Sequence, residues 1–85
     1  MVSKKELEKI LSNQDIETIE KQANECLNEA IKHETLVNSF DAQMEGKQGL
    51  ELELLTEQKE FHEGIRNWNS FAYKRLMSKK MELEL

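Results

Sequence analysis

From Ile16 to Met44 the apolar positions recur every seven residues. Ile16, Ala23, Ala30, Val37 and Met44 form one line, and Ile19, Cys26, His33 and Phe40 fall three residues after the first four. A seven-residue repeat held this long predicts a helix lying along another helix. Ala23 and Ala30 are small enough for close approach, whereas Phe40 and Met44 fill a wider end. Asp15 is a suitable cap, so the helix is expected over about 15–45, spanning roughly 45 Å.

Ahead of it, Ser3 and Glu6 have the spacing of a capping box. Leu7, Ile10 and Leu11 share one face behind them, which predicts a short helix over about 4–11. Ser12, Asn13 and Gln14 make a polar break. The strongest break is Gly46-Lys47-Gln48-Gly49, a turn expected at 46–49 and short enough to fold the next helix back antiparallel. Leu50, Leu54, Phe61, Ile65, Trp68, Ala72 and Leu76 then recur at three, four and seven. The positions 50/61/72 and 54/65/76 also repeat at eleven, which predicts a nearly straight helix over about 50–81.

Folding the chain at Lys47 and Gln48 brings together positions that sum to about 95. Ala30 then faces Ile65, Cys26 lies near Trp68, Ala23 faces Ala72, and Ile19 faces Leu76. The expected core seam is therefore Ile16, Ile19, Ala23, Cys26, Ala30, Val37, Phe40 and Met44 against Leu54, Phe61, Ile65, Trp68, Ala72 and Leu76. The fold class is all-α: a short N-terminal helix and a long coiled-coil-like hairpin within one domain, 1–85. Leu27, Ile31, Leu36, Phe71, Tyr73 and Met77 flank the seam. Leaving such side chains bare forfeits about 1.5–3 kcal/mol each, so they are expected to meet a partner or a second copy. A two-fold homodimer closing a four-helix bundle is the simplest arrangement.

Composition supports long charged helices: 34% of residues are charged, 38% are hydrophobic, and proline is absent. The net charge of −5 is uneven. Residues 13–46 hold eight acids and two bases, and 51–63 hold five acids and one base. Residues 64–80 hold five bases and no acid. One acidic face gathers Glu17, Glu20, Glu25, Glu29 and Glu34; one basic patch gathers Arg66, Lys74, Arg75, Lys79 and Lys80. Overall acidity disfavours a general nucleic-acid binder, but the basic patch with its aromatics keeps RNA or DNA open as an alternative partner.

Candidate chemistry is sparse. Cys26 reads as a small buried hydrophobe, and a lone cysteine suits a reducing cytoplasm. His33 and His62 fall at the same level of the hairpin, but His62 is rotated about 100° from Phe61, the expected seam position. No metal set is expected from them, nor any cofactor. His33 is read as a polar seam position that makes assembly sensitive to pH. Gly64 interrupts the last helix and is either tolerated or admits a closely packed partner. Glycine-rich phosphate loops, nucleophile elbows and paired cysteines are absent from the sequence. The expectation is a non-enzymatic protein that binds another macromolecule as adaptor, assembly factor or inhibitor through its acidic face. Nucleic-acid binding through 66–80 and a structural role in a helical assembly are the alternatives. No segment has the length and apolarity of a membrane span.

Overall fold

The computed structural model describes residues 2–13 and 15–85. Three helices follow one another: α1, Lys4–Leu11; α2, Ile16–Met44; and α3, Gly49–Glu84. No strand occurs among the described residues, and none of these helices is long and apolar enough to cross a membrane. The helices α2 and α3 pack along each other as a hairpin, and the molecule measures 53 × 20 × 14 Å.

The local signals act where the sequence places them. Ser3 Oγ accepts the Glu6 backbone N–H at 3.2 Å and starts α1. The Glu6 carboxylate accepts the Ser3 hydroxyl itself at 3.2 Å, rather than reaching back to the backbone. Between α1 and α2, Asn13 Oδ1 accepts the Asp15 N–H and Asp15 Oδ1 accepts the Glu17 N–H. Gln14, the last residue of the expected break, lies outside the described residues. At the turn, Gly46 and Gly49 take φ of +76° and +66°, a left-handed backbone open to glycine at little steric cost. The last helix exceeds its expected end at Met81: α3 continues to Glu84, held by the Lys80–Glu84 pair and by Leu83, which packs on the core.

The core is concentrated at the open end of the hairpin. Val2, Leu7, Ile19, Ala23, Cys26, Ala72 and Leu76 form one buried cluster, with Ile10, Leu11, Trp68, Tyr73, Met77 and Leu83 packed around it. The short helix α1 thus covers one end of the α2–α3 seam. The Trp68 indole N–H fixes the chain ahead of α1 by donating to the Val2 carbonyl at 2.7 Å. Toward the turn the seam becomes mixed. Ala30, His33 and Val37 are buried on α2, while Ile16, Phe40 and Met44 are half-buried.

On α3 the seam departs from the expected row. Leu54 is 50% and Phe61 66% exposed, so neither belongs to the seam; Ile65 and Trp68 are half-buried, and only Ala72 and Leu76 are enclosed. The inward row is instead Leu55, His62, Asn69, Leu76 and Leu83, spaced by seven, with Leu52, Lys59, Arg66, Tyr73 and Lys80 beside it. Two helices in contact over their length must share one period. Because α2 repeats at seven, an eleven-residue row drifts about 33° per heptad off the contact line. The expected row therefore begins outside at Leu50 and Leu54 and crosses into the seam at Ala72.

Candidate interaction surface

His62, Lys59, Arg66 and Lys80 of α3 each find a partner on α2 across the hairpin. His33 and His62 meet after all: their Nδ1 atoms lie 2.8 Å apart, the ring centres 5.0 Å apart and the planes 24° apart. This end-to-end geometry is an Nδ1–H···Nδ1 hydrogen bond, in which one ring donates and the other accepts. Glu29 Oε2 lies 3.5 Å from His33 Nε2, on the far side of that ring. Phe40 stacks on His62 at 5.6 Å, and Phe61 meets it edge-on at 5.3 Å. Among the described residues no three His, Cys, Asp or Glu side chains converge as a metal site requires.

One flank of the seam carries a ladder of ion pairs. Asp41–Lys59 closes at 2.6 Å, Glu34–Arg66 at 2.7 Å and Glu20–Lys80 at 3.4 Å. The ladder has the heptad spacing of the seam, and Leu27 and Tyr73 occupy its missing rung by position. The hydrogen bond to Asp41 holds the Lys59 ammonium above its usual range, and the Glu20 charge does the same for Lys80. Both pairs remain solvent-screened and fix register more than they add stability.

This ladder redistributes the expected charged surfaces. Arg66 and Lys80 are engaged by acids of α2, while Lys74 and Arg75 stand exposed without an ion pair among the described residues and Lys79 is half-buried. Of the acidic face, Glu20 and Glu34 are in the ladder and Glu29 lies beside His33; Glu17 and Glu25 remain on the open surface.

Cys26 lies within the core cluster, and burial pushes its thiol up, with Glu25 and then Glu29 adding to the rise. Its thiolate is thereby disfavoured, which suits a packing role. Asn69 is only 1% exposed; its amide N–H donates to the Ile65 carbonyl, while Oδ1 finds no partner among the described residues.

The expected association residues divide. Tyr73 and Met77 pack on the core beside Leu76 and are already engaged. Leu27 and Leu36 are half-buried, and Ile31 is exposed. Phe71 is 51% exposed, its ring stacked on Trp68 with centres 5.8 Å apart. It belongs to a larger feature that the sequence reading missed. Leu50 (69% exposed), Leu54, Phe61 and Phe71 all stand out from α3, away from the α2 contact. With Trp68 they follow spacings of four, seven, seven and three, the signature of a second helix-packing row. That signal is present in the sequence, superimposed on the inward row. No family model matches the chain, and no curated protein or solved structure was found to be similar to it.

Proposed function

We propose that this chain is a non-enzymatic interaction protein that binds another protein by packing a helix against the outer face of α3. The observation that carries the reading is the row of exposed large apolar side chains Leu50, Leu54, Phe61 and Phe71. A monomer that leaves such a row in water forgoes about 1.5–3 kcal/mol of burial at each residue, so the row fits a surface meant to be covered. Adaptor, assembly-factor and inhibitor roles all use such a face. The lone cysteine, with its thiol buried, suits the reducing cytoplasm.

Two charged-surface readings have less support. An acidic face acting as an inhibitor has Glu20 and Glu34 already committed to α3. Nucleic-acid binding through 66–80 relies on Lys74 and Arg75, since Arg66 and Lys80 serve α2. Photo-cross-linking separates the three. A photoreactive residue at position 61 is expected to form a protein adduct in cells, whereas one at position 17 or 74 is not. Adducts only from position 17, or nucleic-acid adducts from position 74, would contradict the proposal.

A further inference from the structure

The outer row of α3 contains three residues whose identity nothing within the chain explains. Glu57, Gly64 and Arg75 fall in line with Leu54, Phe61 and Phe71, and all three are exposed. A Cβ built on Gly64 meets nothing within 4 Å, so no neighbour in the chain demands a glycine at a helical position that disfavours it. Arg75 has no ion pair among the described residues, and neither does Glu57.

We propose that this row is the seam for a second copy of the chain, with α3 antiparallel to α3 about a two-fold axis beside residue 66. This inference rests on the interaction reading above and names its partner. Such an axis places Glu57 opposite Arg75 of the second copy, Phe61 opposite Phe71, and Gly64 opposite Trp68. Each match is made twice, as two-fold symmetry requires. The bare glycine backbone admits the largest side chain of the row. Trp68 is half-buried, packed on the core and bonded to the Val2 carbonyl, so the edge it offers the glycine is the one beside Phe71.

Charge selects the occupant and its direction. The turn-proximal part of α3, residues 51–63, has five acids and one base, and that base, Lys59, is bound to Asp41. Residues 64–80 have five bases and no acid. A parallel copy sets acid against acid along the row. An antiparallel copy sets the acidic part of each α3 against the basic part of the other, with Lys74 and Arg75 supplying free cations. Complementary fields of this kind fix orientation and exclude wrong pairings. The row's spacing of four and three also suits a helix-to-helix seam.

Charge reversal tests partner and direction together. Glu57→Arg places arginine opposite Arg75 at both symmetry-related contacts; Arg75→Glu places glutamate opposite Glu57 at both. Each variant alone is expected to weaken self-association at least about tenfold by sedimentation equilibrium. An equimolar mixture of the two is expected to regain the wild-type affinity as a heterodimer, because both contacts are then complementary. Both positions are exposed and helical, and circular dichroism verifies that the fold is retained. Wild-type chain that stays monomeric up to about 100 µM overturns the proposal, as do variants that dimerise like wild type or a mixture that does not recover. If the wild type is monomeric while position 61 cross-links to a different protein, the second copy falls and the interaction reading stands. If position 61 cross-links to nothing as well, both fall.

Discussion

The contact between His33 and His62 joins a buried ring on α2 to a half-buried ring on α3 through one Nδ1–H···Nδ1 hydrogen bond. Glu29, beside the far nitrogen of His33, favours a proton there and leaves Nδ1 as the acceptor. The His62→Ala variant is expected to lose about 1–3 kcal/mol by urea unfolding, because Nδ1 of the buried His33 is left without its partner. An unchanged unfolding midpoint would show that the pair adds nothing to stability. The Gly64→Ala variant should stabilise the dilute chain by about 0.5–1 kcal/mol, since the space is open and the helix gains propensity. The same variant should weaken self-association, because the added methyl stands opposite Trp68 of the second copy. Stabilisation in dilute urea unfolding without any effect on association would argue against that contact.

Among the elements, α1 is the most dependent on tertiary packing: eight residues make a marginal helix alone. Its hold is Leu7 and the preceding Val2, both in the cluster that contains Cys26. Replacing Leu7 by alanine is expected to cost about 2–4 kcal/mol and to loosen α1. Alkylation of Cys26, slow in the native chain because the thiol is buried and its thiolate disfavoured, should then accelerate severalfold. Equal rates in the two proteins would mean that α1 does not shield the thiol. The elements also show what the sequence could and could not convey. The caps Ser3 and Asp15, the glycine turn and the period of α2 are local signals and were readable. The facing of α3 was not. That helix carries two rows, and the more apolar one, with Leu50, Leu54 and Phe61, turns outward. The inward row and its flank carry His62, Lys59 and Arg66, which become acceptable in a seam only once His33, Asp41 and Glu34 stand opposite. That information lies in the register between helices, about 18 to 32 residues away in the chain.

At the scale of the whole molecule, the hairpin is a thin rod loaded at one end. Its apolar core lies where α1 docks, and its turn end leaves Leu50 and Leu54 in water. The charge blocks were legible in the sequence, as was the match between the acids of α2 and the bases of α3. How much of the basic block that match would consume was not: Arg66 and Lys80 are committed, while Lys74 and Arg75 remain. An antiparallel pair of rods would set each exposed turn-proximal part against the better-packed part of the other. Salt should blunt the preference between charge variants more than it weakens the wild-type pair, whose centre is apolar. On this reading the outer face of α3 is the working surface. A dilution series followed by amide nitrogen–proton NMR tests it residue by residue. Concentration-dependent shifts are expected along Leu50, Leu54, Phe61, Gly64, Phe71 and Arg75, with Glu17 and Glu25 on α2 unmoved. Shifts confined to the acidic face of α2, or none along α3 at any concentration, would contradict it.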